Sequence, residues 1–187
     1  MILGLDISTS CTGWCILEDT GKFVSMGAID LSKENSLYSK AGKIKNNLAA
    51  LHISYDIQKI FIEENLQAFR PGLSSAKTLL TLARFNGIVS YVCSQEFFKD
   101  PIYINVNNAR KTLEIKIKRQ KVVNKSTKDQ VWEWVSDKLK NTNFDWPMKT
   151  LKSGPRKNQT ILDPSCYDMA DAYVIAMAGF EQFKKAN

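Results

Sequence analysis

Short apolar runs, each closed by an acid or a turn, divide the first third of the chain. Met1 to Asp6 is apolar almost throughout and predicts a buried strand, and Ser8 to Gly13 predicts a polar turn rich in Ser, Thr and Gly. Trp14 to Leu17 predicts a second strand and, beyond Asp19-Thr20-Gly21, Lys22 to Ile29 predicts a third. Two short connections between three strands imply an antiparallel meander. From Tyr38 to Ile53 the period changes: Ile44, Leu48 and Leu51 recur at helical spacing with lysines elsewhere, as on a surface helix covering a sheet. Lys59 to Glu64 has a continuous apolar centre, Ile60-Phe61-Ile62, too short for a helix and suited to a central strand covered on both faces.

Pro71-Gly72 interrupts the pattern, and Ser74 or Ser75 can cap a helix on which Ala76, Leu79, Leu80, Ala83 and Gly87 share a face. Gly87 disfavours a helix, so close packing on the sheet is its expected reason. Ile102 to Val106 predicts a fifth strand. Thr127 and Gln130 make a capping-box pattern ahead of Val131, Trp134, Val135 and Lys138, a helix with a broad apolar side. Asn141 to Ile161 carries Trp146-Pro147, Gly154-Pro155 and several lysines without a clear period, which predicts an exposed basic loop. Asp163-Pro164 supplies an N-cap and a proline at the first helical position of a strongly apolar final helix reaching Phe183. The expected class is α/β, a five-stranded mixed sheet with helices on both faces.

With 187 residues and 44% apolar content the chain can bury one substantial core, and a single domain over residues 1–187 is expected. The 26 Lys and Arg exceed the 19 Asp and Glu for a net charge of +7, which favours polyanionic partners, nucleic acid foremost. No apolar run approaches the roughly 20 residues of a bilayer span, and the N-terminal residues lack the marks of a secretory signal, so a cytoplasmic protein is expected. The four cysteines, Cys11, Cys15, Cys93 and Cys166, are read as reduced. Cys11 and Cys15 lack the second Cys or His pair that a zinc finger needs.

Four acids carry the candidate chemistry: Asp6 and Glu63 end apolar strands, and Asp168 and Asp171 open the last helix, three residues apart and so on one face. In open sheets with helices on both sides, ligand sites gather at the carboxyl ends of strands. Acids at the edge of a core are costly unless something positive neutralises them, and carboxylates suit hard divalent cations. Each acid also has a plain structural reading. Asp6 could close a turn, Glu63 and Glu64 could be a strand end meeting water, and Asp168 and Asp171 could complement the helix dipole, although Asp171 lies more than one turn in.

The opening Ile2-Leu3-Gly4-Leu5-Asp6-Ile7-Ser8 with Thr12-Gly13-Trp14, then Phe61-Ile62-Glu63, and Tyr167-Asp168-Met169-Ala170-Asp171-Ala172 resemble, in order and spacing, the RuvC-type Holliday junction resolvases of the ribonuclease H-like superfamily. The resemblance spans nearly the whole chain. It implies that Asp6, Glu63, Asp168 and Asp171 bind two Mg²⁺ per active site, with Mn²⁺ able to substitute, and Glu64 as an alternative to Glu63. It also implies a homodimer making paired symmetric nicks in four-way DNA junctions, each leaving a 5′ phosphate and a 3′ hydroxyl. Lys128 matches the position of a basic residue near the scissile phosphate. Leu113 stands where another lysine is expected, a role that Arg110 or Lys111 can fill. The family's wedging aromatic falls near Leu66, with Phe69 three residues later, and Phe69 has a core role as its alternative.

Arg110, Lys111, Lys116, Lys118, Arg119, Lys121 and Lys125 form a basic block with Glu114 as its opposing charge. Such blocks are usually solvated faces, but one beside an acidic site can hold phosphates, and Arg70 next to Phe69 adds to that surface. Lys149, Lys152, Arg156 and Lys157 could extend it or only keep their loop soluble. His52 is read as packing or surface. Three other readings compete. An actin-like kinase would need a second domain and a second phosphate loop; a binding module would use the basic block alone; a related nuclease would cut flaps or RNA.

Overall fold

The alternation of β1 (Ile2–Ile7) sends Leu3, Leu5 and Ile7 into one apolar cluster and Ile2 into another, so the strand is covered from both sides. The computed structural model describes residues 1–64 and 75–186. β2 (Cys11–Leu17) and β3 (Phe23–Asp30) continue from β1 as an antiparallel meander, while β4 (Lys59–Glu63) and β5 (Ile102–Ile104) run parallel to β1 on its other side. The sheet order is β3-β2-β1-β4-β5. This is the five-stranded mixed sheet expected from the sequence.

One face is covered by α1 (Leu37–Ser54) and α2 (Ala76–Phe97), packed on Leu3, Leu5, Ile60 and Ile62. The other face carries α3 (Val106–Thr112), α5 (Thr127–Leu139) and α6 (Ser165–Ala186), with the short α4 (Gln120–Val123) between the first two. No helix among the described residues is long and apolar enough to cross a membrane.

Several local expectations are corrected. The turn after β1 is Ser8–Ser10 rather than Ser8–Gly13, because Ser8 Oγ donates to Cys11 O at 2.6 Å and accepts from Cys11 N at 3.2 Å, closing the corner early. β2 therefore begins at Cys11, not Trp14. On α2 the buried residues are Phe85, Asn86, Val89, Ser90, Cys93 and Phe97, whereas Leu80 is 60% exposed. Gly87 points to open space rather than the sheet. The α5 capping box is Ser126 with Asp129, not Thr127 with Gln130. Gln130 instead clamps the backbone of Lys118, accepting from its N–H and donating to its carbonyl, both at 2.9 Å. The fifth strand stops at Ile104 because the Asn105 side chain caps α3, an unforeseen helix. The basic loop contains a two-stranded hairpin, β6 (Met148–Thr150) with β7 (Thr160–Leu162). Asp163 caps the start of α6 as expected, accepting from Ser165 N at 2.9 Å.

Two glycines let α6 lie against the sheet. A Cβ on Gly4 would meet Ala172 O at 2.5 Å, and one on Gly13 would meet Asp168 O at 1.9 Å. Backbone cannot yield as a flexible side-chain tip can. We therefore expect Gly13→Ala to cost about 1–3 kcal/mol through overpacking. The exposed helical Gly87→Ala should instead stabilise the chain by roughly 0.5–1 kcal/mol. Urea denaturation of the two variants beside the parent checks both signs.

Candidate active site

Strand pairing sets two of the four acids side by side. β1 and β4 pair in parallel with Leu5 opposite Ile62, so the next residues, Asp6 and Glu63, stand level at the carboxyl ends of their strands. Alternation turns both toward the α6 face, since Ile2 and Phe61 belong to the cluster beneath that helix. The other two acids arrive with α6. Gly13 is the β2 partner of Asp6, and the Asp168 carbonyl sits where a Gly13 side chain would be. The opening turn of α6 is thereby held over the ends of β1 and β2. Asp171, three residues on, lies on the same side of the helix. All four acids are half-buried.

Two cations act on this cluster. Lys128, exposed at the start of α5, opposes the charge of all four acids, and the half-buried Arg110 of α3 opposes Glu63 and Asp171. Lys111, Lys116, Lys118 and Arg119 are exposed. Phe69 and Arg70 lie outside the described residues, as does Leu66. Leu113 caps α3 and packs on the core, so the lysine expected there is absent and Arg110 is the neighbouring cation that the acids feel. Glu64 follows the strand end, where its carboxylate accepts from Asn105 Nδ2 at 3.3 Å. His52 packs on Phe97 with ring centroids 5.0 Å apart and bonds to Glu96 at 3.2 Å, away from the acids.

Two partners of the cluster were not foreseen. The Cys11 thiol lies beside Asp168 and acts to lower its carboxyl, although nothing in a lone half-buried cysteine signals such a neighbour. Tyr167 Oη donates to Asp129 Oδ1 at 2.8 Å, while Asp129 Oδ2 caps α5 by accepting from Ser126 N at 2.9 Å. One carboxylate thus ties the start of α5, which carries Lys128, to the start of α6, which carries Asp168. The adjacency of Asp129 to Lys128 and of Tyr167 to Asp168 was visible in the sequence, but not that the two meet.

The acids disturb one another. Burial, and then the charges of Glu63, Asp171 and Asp168, hold the Asp6 carboxyl well above the usual carboxylate range. Burial and the Asp171 charge push Glu63 up to about 7, even though Arg110, a hydrogen bond with Asp6 and Lys128 all act downward. Asp171 rises to about 6, mainly from burial and against Arg110 and Lys128. Asp168 is raised by burial, with the neighbouring Cys11 thiol and Lys128 opposing. Two basic groups do not neutralise four carboxyls. A donor set made only of carboxylate oxygens, crowded enough to resist ionisation, fits a hard divalent cation. Among the described residues no three such side chains stand close enough to hold one ion outright, so the carboxylates would have to turn inward to chelate it.

Neither a family model nor a curated protein matches the chain. Solved structures do. Thermus thermophilus RuvC in complex with a Holliday junction substrate superposes with a TM-score of 0.63 at 15% identity, over 98% of this chain and 94% of that one. Thermus thermophilus RuvC in a second structure also gives 0.63 at 15% identity, over 99% and 96%. The yeast mitochondrial Holliday junction resolvase Ydc2 gives 0.53 at 17% identity, over 96% and 77%. The chain therefore has the ribonuclease H-like fold of the RuvC-type resolvases, as its sequence motifs implied.

The raised carboxyls predict how stability varies with pH. When chelator is present, the folded chain keeps protons on Glu63 and Asp171 that the unfolded chain has released. The stability linked to them is present in full below the ordinary carboxylate values near pH 4 and is lost as pH rises through about 6 to 7. Glu63→Gln should therefore raise the melting temperature of the metal-free protein at pH 8 and leave it little changed at pH 5. Millimolar Mg²⁺ should raise that of the parent at pH 8. Scanning calorimetry in the three conditions measures it.

Proposed function

We propose that the protein is a Mg²⁺-dependent endonuclease that acts as a homodimer on branched DNA, resolving four-way junctions by paired symmetric nicks. One observation carries this reading: separate elements of a RuvC fold deliver Asp6, Glu63, Asp168 and Asp171 to one face, where burial, joined at Asp6, Glu63 and Asp171 by repulsion from neighbouring acids, holds their carboxyls above the usual range. These four residues would hold two divalent ions. When bound, such ions supply the positive charge that lets the acids ionise together, activate water for attack on a phosphodiester and stabilise the departing 3′ oxygen.

The rest falls to the chain's own residues. Lys128 holds the scissile phosphate against carboxylates that would otherwise repel it. Arg110, half-buried beside Glu63 and Asp171, offsets part of their charge before substrate arrives. Lys111, Lys116, Lys118 and Arg119, all exposed, contact the backbone of the junction arms, and Phe69 and Arg70 engage the branch point. Asp129 and Tyr167 position Lys128 relative to Asp168 through their 2.8 Å bond. The whole of residues 1–187 serves as one nuclease domain.

Incubating the protein and Mg²⁺ with a four-way junction, a flap, a linear duplex and an RNA:DNA hybrid tests the reading. Nicks at symmetric positions confined to the junction are expected. Cutting of the flap or hybrid in preference would reassign the substrate within the same fold, and no cutting of any would sink the enzyme. Asp6→Asn should retain junction binding while slowing cutting by at least about a hundredfold, since groups one shell further from a metal are themselves worth about 10–100-fold.

A further inference from the structure

Beside the acids, a cleft of about 450 Å³ runs from Asp168 and Cys11 past Ser10 and Ser32 to Lys149 of the hairpin. Between Met148 and Leu162 the hairpin segment contains Lys149, Lys152, Arg156 and Lys157 and no acid. All four are exposed. Among the described residues none of them has an ion-pair partner. Side chains that only keep a loop soluble need no fixed place, yet this ribbon is fixed. Pro147 O at its base accepts from Asp163 N at 3.0 Å and from Cys166 Sγ at 3.4 Å, which ties it to the start of α6. Trp146 packs edge-on against Phe144 at 5.2 Å and Trp132 at 5.9 Å. Beyond the strands, Leu151 N donates to Gln159 O at 3.0 Å and Asn158 N to Leu151 O at 2.8 Å, which extends the ladder toward the tip.

We propose that this hairpin grips the DNA strand flanking the cut, with Lys149, Lys152, Arg156 and Lys157 on successive phosphates and the sugar–base side of the strand facing the opposite wall of the cleft. The inference rests on the nuclease reading and adds to it which part of the substrate is held, and where. Charge decides the orientation of the strand. Asp30 lines the wall across from the hairpin and Asp163 stands at the hairpin's own base, each held ionised by bonds from a nearby serine, so phosphates are repelled from both and drawn to the lysines along the ribbon. The hydroxyls of Ser10 and Ser32, on the wall with Asp30, can donate to and accept from sugar and base edges. An extended ribbon advances about 3.3 Å per residue, which separates Lys149 from Lys152 by up to roughly 10 Å and lets one strand meet them at different phosphates.

The test uses the full chain and a labelled four-way junction. Binding is measured in chelator over a range of salt, and single-turnover cutting is measured in Mg²⁺ at saturating enzyme. The hairpin set is Lys149→Gln, Lys152→Gln, Arg156→Gln and Lys157→Gln combined. A charge-matched control combines Lys22→Gln, Lys45→Gln, Lys140→Gln and Lys185→Gln, on α1 or at element ends remote from the acids. The hairpin set should weaken binding at least about tenfold and make the log–log salt slope shallower by roughly two to four, about one for each phosphate no longer held, while the control changes both far less. Its cutting rate at saturation should stay within about threefold of the parent, as expected of residues that hold substrate without touching the reacting atoms. Lys152→Gln with Lys157→Gln, both outside the paired strands, should give the same direction at about half the size. Equal effects of the two sets, or an unchanged slope, would overturn the grip while leaving the nuclease intact. A parent protein that cuts nothing would instead overturn the reading on which it rests.

Discussion

Gly13 has no side chain, and the carbonyl of Asp168 fills the space where one would stand. The arrangement of the acids follows from that contact. Gly13 is the register partner of Asp6, so a helix pressed onto Gly13 brings its first acid to the strand that carries another. Gly4, two residues before Asp6, repeats the device beneath Ala172 and Ala176. A seam of small residues fixes how near α6 comes to the sheet, and its packing on the apolar cluster below holds it there against the repulsion it creates.

That repulsion is the other half of the design. Four carboxyls facing two cations leave a local deficit of positive charge in a chain whose overall charge is +7. The excess positive charge lies outside the cluster, on the exposed lysines of 111–125 and on the hairpin. A polyanion approaching the acids would thus meet attracting groups outside the cluster, and that attraction would offset repulsion at the centre.

What is legible in the sequence depends on whether a signal is local. The strands ending in Asp6 and Glu63 are readable because a short, continuous apolar run closed by an acid fits a covered central strand and little else. The last helix is readable from Asp163-Pro164 and its unbroken apolar stretch. That Glu63 rather than Glu64 shares a face with Asp6 follows from alternation only with the register of β1 and β4 in hand. Other features depend on contacts distant in sequence. The buried face of α2 differs from the expected one because a Leu/Ala stripe and a Phe/Val stripe both satisfy helical spacing, and only the sheet decides between them. The capping box is displaced by one residue because Ser126–Asp129 and Thr127–Gln130 both fit the pattern, and Gln130 is taken by the Lys118 backbone. The hairpin leaves no mark in the pattern because its strands are three residues each, too short to show a period. Gly13 looks like a turn residue, and its real task, to admit a helix backbone, is set by a residue 155 positions away.

The Asp129 carboxylate has two oxygens and gives one to each of two helices, Oδ2 to the first turn of α5 and Oδ1 to Tyr167 of α6. Lys128 and Asp168, neighbours of the two residues so joined, therefore share a common mechanical frame. Drawing the two helix starts apart would break one of these bonds, so the link opposes any change in the spacing between the lysine and the acid. A cation and an anion on independent elements would drift together or apart with every fluctuation. Here a single side chain acts as the spacer bar.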